Sequence, residues 1–523
     1  MALDLGAAAP VDTEQSAGLR PAVRSLVVRF GPALPLMAVI GVGTFLRVWQ
    51  LGAVGYNSDE SIYAGQAASI AGDEQARSVF PAFRAHPLLF QALLSLVFRT
   101  GIGDTRGRLL AAAFGVATIV VVFLLGRLLY GPTVGTVAAL LLALMPYHVV
   151  VSRQVLLDTP MVFFATASLY CVARFCQQEA PRWLYAAGGL LGLTLLTKET
   201  GIVLLAGLYA FFALSPHIRF RLRDGVVAAG IMVAIAAAFP LTLMFAGRSG
   251  VGQRYLAWQL FRRSNHNLLF YPFTVSVAVG LLVVVLALAG LWLLRRERSW
   301  RERLLVCWGC APVALFEIWP VKGYQYLLAT APVFALLAAR VLVQWPLPRR
   351  VAPERERPAR LAAVSIVALS LLVPSWNRVS PAPTATYLAG AGGLPAGREA
   401  GRWIDANLPQ GATLLTVGPS MANVITFYGH RRALGLSVSP NPLNRNPSYT
   451  PVDNPDRHLR RGEIQYLVWD SFSAHRAPFF ADRLLAYAEK YKARAIHTET
   501  IAVRTGSDSV PRPVITIYEV SDV

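Results

Sequence analysis

The chain reads Tyr56-Asn57-Ser58-Asp59-Glu60-Ser61-Ile62-Tyr63 directly after its first apolar run, residues 31–49. Two adjacent carboxylates, Asp59 and Glu60, therefore stand at the mouth of a segment that can enter a membrane. A carboxylate is costly inside hydrocarbon and cheap in water. The pair is thus either a solvated loop end or a functional site, and the rest of the chain has to decide between the two.

The composition is that of a membrane protein. Of 523 residues, 55% are hydrophobic and only 15% are charged, and the mean hydropathy is +0.47. Such a chain is too apolar for an ordinary soluble enzyme and long enough for more than one domain. The net charge of +20 could indicate nucleic acid, but Lys and Arg mostly form short clusters between apolar runs. We therefore expect a polytopic α-helical membrane protein with no nucleic-acid partner.

The basic clusters predict how the chain is oriented. Three arginines precede the first apolar run, which indicates an uncleaved signal anchor with a cytoplasmic amino terminus. The stretch 86–98 is shorter than the ~20 residues that a span needs. If it crossed, basic loops such as 217–223 and 295–298 would lie outside, against the positive-inside bias. We therefore predict a re-entrant or juxtamembrane helix there, about eleven spans in total, and Asp59 and Asp158 on one outer face.

The sequence predicts four parts: a cytoplasmic tail 1–29, a transmembrane catalytic module 30–377 with a first outside loop 50–107, a Pro- and Gly-rich linker 378–396, and an extracytoplasmic α/β domain 397–523. In the last part we expect strands at 412–417 and 464–469 and an edge strand at 514–518. All four cysteines lie in apolar segments, so we expect no disulfide in this domain.

The acidic candidates are Asp59, Glu60 and Asp158. A carboxylate beside a membrane surface can act as a general base or can hold a divalent ion over a phosphate, and a second carboxylate tunes the first. The plainer explanations are a solvated loop acid for the pair and a helix cap for Asp158.

Several basic side chains lie at the ends of apolar segments. Arg153, Lys198 and Lys322, the last followed by Tyr324, are candidates for binding a donor phosphate, and Arg84 and His86 are candidates for the same cavity. Snorkelling of each side chain to the interface is the plainer alternative. His266 could join Asp59 and Asp158 around a divalent metal ion, although a lone loop histidine is seldom a ligand.

The ordered motifs resemble the GT-C glycosyltransferases, in particular the bacterial protein O-mannosyltransferase and lipid A aminoarabinose transferase families. The resemblance covers roughly residues 30–345. It is carried by the acidic pair of the first loop, His86-Pro87-Leu88-Leu89, Arg108-Leu109-Leu110, Leu125-Gly126-Arg127-Leu128-Leu129-Tyr130-Gly131, Ser152-Arg153, Asp158 and Leu196-Thr197-Lys198.

The resemblance implies transfer of a sugar from a polyprenyl-phosphate carrier to a glycan, lipid or protein acceptor at the outer face of the cytoplasmic membrane. It implies that Asp59 is the catalytic base or a metal-binding acid, that Asp158 lines the same cavity, and that basic residues hold the donor phosphate. Two departures matter. His86-Pro87-Leu88 replaces the His-Pro-Pro of the family, and Ala85-His86 replaces the Glu-Lys of the aminoarabinose enzymes, which puts their metal site in doubt here.

A single displacement at the anomeric carbon inverts its configuration, so we expect an inverting transferase. The alternative is a transporter or flippase of lipid-linked sugars. That class predicts charges at mid-span and repeat symmetry, whereas Asp59, Asp158 and Lys322 all lie at segment ends on one side.

Overall fold

The computed structural model describes residues 34–82, 86–219, 221–248, 250–261, 264–295, 299–345, 353–379, 394–505 and 508–520. The predicted cytoplasmic tail, Arg84 and most of the predicted linker lie outside these ranges.

The membrane part is built from apolar helices joined by short connections. In chain order they are α1 Leu34–Val48, α2 Ser58–Ala71, α3 Glu74–Val79, α4 Leu89–Phe98, α5 Asp104–Tyr130, α6 Pro132–Leu144, α7 Pro146–Val151, α8 Asp158–Gln178, α9 Pro181–Thr197, α10 Val203–Ala213, α11 Leu222–Ala236, α12 Ala238–Phe245, α13 Gly250–Phe261, α14 Phe270–Val279, α15 Leu281–Leu294, α16 Trp300–Ile318, α17 Ala331–Gln344 and α18 Pro353–Val379. Short 3₁₀ helices cover Glu199–Ile202 and Tyr324–Thr330.

Five stretches of the described chain are helical, long and apolar enough to cross a membrane, and a sixth is added if α14 and α15 form one broken span. The five are Asp104–Tyr130, Asp158–Gln178, Leu222–Phe245, Tyr324–Gln344 and Glu354–Val379. The broken pair bends by 104° at Gly280, whose positive φ suits a residue without a side chain. The predicted total of about eleven counts shorter apolar helices as well, and it stays a prediction.

Helix α4, the stretch predicted not to cross, has 10 residues. Its length of about 15 Å is half of the hydrocarbon thickness. It contacts α2 and α5, so an apolar helix too short to span packs against the segment between α1 and α5. Helix α2, which carries the acidic pair, has most of its residues buried against protein.

Glycines allow two helix pairs to approach closely. A methyl group on Gly188 of α9 would lie 2.3 Å from the Ala228 carbonyl oxygen of α11. One on Gly126 of α5 would lie 2.7 Å from Gly135 of α6. Small residues at helix contacts are how membrane helices gain van der Waals packing.

The C-terminal domain is a five-stranded sheet with helices around it. Its elements are α19 Gly397–Asn407, β1 Thr413–Thr416, α20 Pro419–Gly429, β2 Arg432–Gly435, α21 Pro455–Arg460, β3 Tyr466–Asp470, α22 Ser471–Arg476, α23 Pro478–Lys490, β4 Arg494–Thr505 and β5 Asp508–Glu519. The strand order is β2-β1-β3-β5-β4, parallel among the first three and antiparallel for the rest. The predicted strand 514–518 lies within β5. The prediction that it is at the edge of the sheet is wrong, because β4 pairs with β5 and is itself the edge strand.

Candidate active site

The N-terminus of α2 fixes the acidic pair. The Asn57 side chain accepts from the Glu60 amide at 3.0 Å, and the Glu60 carboxylate accepts from the Asn57 amide at 3.0 Å. This reciprocal capping box satisfies amides that the first helical turn leaves unpaired. Asp59 lies between Asn57 and Glu60 in this turn, so the two hydrogen bonds of the capping box fix the position of its backbone.

Glu60 is fully buried in an ion pair with Arg108. The Arg108 Nε and Nη2 atoms donate to the two carboxylate oxygens, each at 2.7 Å, and the Val155 amide donates to one of them at 3.0 Å. Arg108 also donates to three carbonyl oxygens of the loop before α2, those of Leu51, Val54 and Gly55. Glu60, predicted to be catalytic, does not line the cavity described next and instead contacts Arg108, which holds the loop before α2.

Asp59 opens into a cavity of about 590 Å³ between the membrane part and the C-terminal domain. The surrounding protein weakens the solvation of its charged form and so raises the pKa of its carboxyl above the ordinary value, and His86 and Lys198 oppose this rise. Within the described residues Asp59 forms no hydrogen bond or ion pair. Its carboxylate can therefore contact a ligand in the cavity.

Two lysines line the same cavity. Lys198 follows the last residue of α9, and its ammonium lies 2.7 Å from the Asp158 carboxylate and 5.2 Å from the centre of the Tyr326 ring. Asp158 is the first residue of α8 and is buried. Asp158, predicted to be a catalytic acid beside Asp59, does not line the cavity and contacts it through Lys198.

Hydrogen bonds to its backbone fix the position of Lys322. The side chain of Asn265 accepts from the Lys322 amide at 2.8 Å and donates to its carbonyl oxygen at 2.9 Å. The ammonium donates to the carbonyl oxygens of Phe316 and Glu317 and lies 3.8 Å from the Glu317 carboxylate. Asn265, rather than the predicted His266, is therefore the loop residue that shapes this side of the cavity.

His86 belongs to a chain of polar groups that sequence reasoning did not find. Its Nδ1 donates to the Glu199 carboxylate at 3.0 Å, and its Nε2 lies 3.2 Å from the Tyr255 hydroxyl. Glu199 was visible in the sequence only as a neighbour of Lys198. Nothing in the spacing of residues 86, 199 and 255 indicates that they meet.

Three further predicted site residues lie elsewhere. Arg153 is buried, and it donates to the carbonyl oxygens of Leu46 and Trp49 at 2.9 and 2.8 Å, at the end of α1. Tyr324 is buried edge-on against Tyr147, while its neighbours Gln325 and Tyr326 line the cavity. His266 is exposed and stacks on Phe270 with 4.2 Å between ring centres.

The predicted metal site does not come together. Asp158 is paired with Lys198, and His266 stacks on Phe270 and does not line the cavity that Asp59 enters. Across the described ranges, no group of three or more His, Cys, Asp or Glu side chains could hold a metal ion. These residues therefore do not fit a metal ion.

Comparisons with known proteins agree with this fold. Residues 85–245 match the family model described as dolichyl-phosphate-mannose-protein mannosyltransferase. No curated protein sequence matches the chain. The crystal structure of ArnT from Cupriavidus metallidurans bound to undecaprenyl phosphate superposes with a TM-score of 0.70 at 16% identity, covering 93% of this chain and 98% of that chain.

A second solved structure is the archaeal oligosaccharyltransferase AglB from Archaeoglobus fulgidus, in complex with an inhibitory peptide and a dolichol-phosphate. Its TM-score is 0.57 at 14% identity, with 93% of this chain and 74% of that chain covered. At such identities the likeness shows the fold. The chain therefore has the membrane fold of the GT-C glycosyltransferases, the superfamily that its ordered motifs resemble.

Proposed function

We propose that this protein is a membrane glycosyltransferase that moves a sugar from a polyprenyl-phosphate donor to a hydroxyl acceptor at the outer face of the cytoplasmic membrane. The observation that carries the proposal is one cavity, lined by Lys198 and Lys322, into which the Asp59 carboxylate opens without a hydrogen bond or ion pair to any described residue. A base and two cations in one cavity suit a displacement that releases a phosphate.

The step we propose forms a bond between the acceptor oxygen and the anomeric carbon and breaks the bond from that carbon to the phosphate oxygen. The bonding electrons leave with the polyprenyl phosphate, whose added negative charge Lys198 and Lys322 stabilise. Asp59 takes the proton of the acceptor hydroxyl. Because attack and departure occur on opposite faces, the anomeric centre inverts.

The comparisons support this assignment. The family model that matches residues 85–245 describes mannosyltransferases that use dolichyl-phosphate mannose. ArnT was solved with undecaprenyl phosphate and AglB with a dolichol-phosphate. A transporter or flippase of lipid-linked sugars has no comparable support, and the cavity charges lie at helix ends rather than at mid-span.

Replacing Asp59 by asparagine tests the proposal. We expect transfer from polyprenyl-phosphate sugars to fall by about a hundredfold or more, because the base is lost while the size of the side chain is kept. The measurement is turnover of a panel of undecaprenyl-phosphate sugars by the purified full chain in lipid nanodiscs.

The matched control is Glu74→Gln, which neutralises an exposed acid of the same outer loop. Full activity of Asp59→Asn would remove Asp59 from the mechanism. Movement of intact lipid-linked sugar across a vesicle membrane, without cleavage, would favour the flippase.

A further inference from the structure

The C-terminal domain supplies part of the cavity wall, and its contribution differs chemically from that of the membrane part. The membrane side carries Asp59, Glu199, two lysines and several aromatic rings. The residues from the C-terminal domain are mostly serines, asparagines, a tyrosine and arginines, drawn from the start of α20, the loop 437–449 and the end of α22. Among the described residues of the C-terminal domain, no carboxylate lines this part of the wall.

Two arginines, Arg445 and Arg476, line this part of the cavity. One Nη of Arg445 donates to the carbonyl oxygens of Ser439 and Pro440 at 3.4 and 3.1 Å. The Arg476 guanidinium lies 5.2 Å from the centre of the Phe472 ring. Within the described residues neither arginine forms an ion pair, whereas both cavity lysines lie within 4.0 Å of a carboxylate.

A guanidinium is always charged and matches a carboxylate or phosphate through parallel hydrogen bonds. Two of them on this wall, with no carboxylate among the described residues of the C-terminal domain that line it, favour a ligand that brings its own anion. The surrounding hydroxyl and amide groups, such as those of Ser437, Asn446 and Tyr449, can both donate and accept. That is the hydrogen-bonding character that a sugar ring, with its many hydroxyls, requires.

We propose that this wall of the cavity, centred on Arg445 and Arg476, is the acceptor site and that it takes an anionic carbohydrate, a glycan bearing a carboxylate or phosphate. That the glycan is the acceptor rests on the proposed function, whereas the binding of an anionic glycan does not depend on it. The lysines then serve the donor phosphate and the arginines serve the acceptor anion, with Asp59 in the same cavity to accept the proton of the acceptor hydroxyl.

Binding is tested first, without chemistry, on the full chain in nanodiscs. The probes are tetragalacturonic acid, the neutral maltotetraose and a tetraglutamate peptide. We expect tetragalacturonic acid to bind more tightly than both others, and the variant Arg445→Gln/Arg476→Gln to weaken it by about tenfold or more, since charged hydrogen bonds are lost.

The matched control is Arg457→Gln/Arg512→Gln, which removes the same charge from exposed positions of this domain outside the cavity. Equal binding of the charged and neutral glycans, tighter binding of the peptide, or equal loss in the control would overturn the proposal.

Transfer is tested second, with labelled undecaprenyl-phosphate sugar and membranes from cells lacking the protein as the acceptor source. We expect a labelled product that resists protease and is retained on an anion exchanger. The Arg445→Gln/Arg476→Gln variant should raise KM for the acceptor fraction about tenfold while leaving KM for the donor unchanged. A neutral or protease-sensitive product would overturn the acceptor class.

The two proposals can fail separately. If the wild-type chain transfers no sugar but binds tetragalacturonic acid through the arginines, the transferase is wrong and the glycan site stands. If it transfers sugar to an acceptor without using the arginines, the transferase stands and the glycan site is wrong.

Discussion

Asp59 is the cavity carboxylate without a partner among the described residues, and this governs how it responds to pH. Its pKa is raised above the ordinary value because the surrounding protein weakens the solvation of the charged carboxylate. As pH falls through this raised pKa, the carboxylate takes up a proton and can no longer act as a base. We predict that transfer falls on the acid side at a pH above the ordinary range of an aspartate, as a pH profile of kcat/KM will measure. An acid limb at the pKa of a free aspartate would contradict the assignment.

The same shift has a consequence for stability. A carboxyl whose pKa is raised on folding destabilises the folded chain once pH exceeds its unfolded pKa, and the cost is complete above its folded pKa. We therefore predict that Asp59→Asn has a Tm equal to or higher than wild type at neutral pH, with the difference vanishing in acid. Thermal unfolding in nanodiscs at neutral and at acid pH measures the difference in Tm from wild type, and Glu74→Gln should show no such difference at either pH. A lower Tm at neutral pH would mean that the carboxylate forms stabilising contacts.

Asp158 and Lys198 form a buried ion pair, with side-chain exposures of 4% and 6%. Removing one partner of a buried pair leaves the other charge uncompensated and costs about 3 kcal/mol or more. We predict that Asp158→Asn lowers the stability of the chain and raises KM for the donor, because Lys198 loses the group that orients it. Donor titration and thermal unfolding measure the two effects. A loss of kcat at unchanged donor KM would instead indicate that Asp158 acts on the reacting atoms.

At the scale of elements, helix α2 is held from two directions. From the membrane part, Arg108 binds Glu60 and the preceding loop. From the C-terminal domain, the Tyr428 hydroxyl accepts from the Tyr56 amide at 2.7 Å and donates to Asp104 at 2.8 Å. The side chain of Asn423 also donates to the Ser58 hydroxyl at 2.9 Å. The helix that presents Asp59 therefore depends on the C-terminal domain for its position.

Tyr428→Phe tests this dependence by removing one hydroxyl. We predict a fall in kcat of about tenfold at unchanged KM for the donor, because a small displacement of a base is costly to the reaction. Steady-state kinetics of the purified variant measures both constants. The control Tyr487→Phe removes a hydroxyl from α23, where it contacts Arg483 and not α2. Unchanged kcat in Tyr428→Phe would show that Arg108 alone positions the helix.

Local sequence predicted many elements but not their contacts. The expected strands 412–417 and 464–469 agree with β1 and β3, because short apolar runs between turn residues are a local signal. Asp59 and Glu60 could not be separated, since neighbours on a helix point about 100° apart and the buried face was unknown. The sequence could not reveal the partners of Arg153, because the two carbonyl oxygens that it contacts lie 107 and 104 residues away along the chain. A phosphate was therefore the predicted partner.

At the scale of the whole molecule, the cavity exists only where the membrane part meets the C-terminal domain. Sequence reasoning predicted both parts and left the role of the second open. The contact of α20 with α2 could not be read from either segment, because each is an ordinary helix by composition. A cavity shared by two parts of one chain explains why the function of the acids could not be decided from their own segment.

The orientation in the membrane remains a prediction and can be measured directly. In a variant with all four native cysteines replaced by alanine, we predict that a cysteine at Ser78 reacts with an impermeant maleimide added outside intact cells. A cysteine at His217, in the basic loop between α10 and α11, should react only after the membrane is opened. Both positions are exposed, so access to the reagent depends on the side of the membrane. Labelling of His217→Cys from outside, with Ser78→Cys protected, would contradict the predicted orientation. The Asp59 cavity would then lie on the cytoplasmic side, against the positive-inside bias.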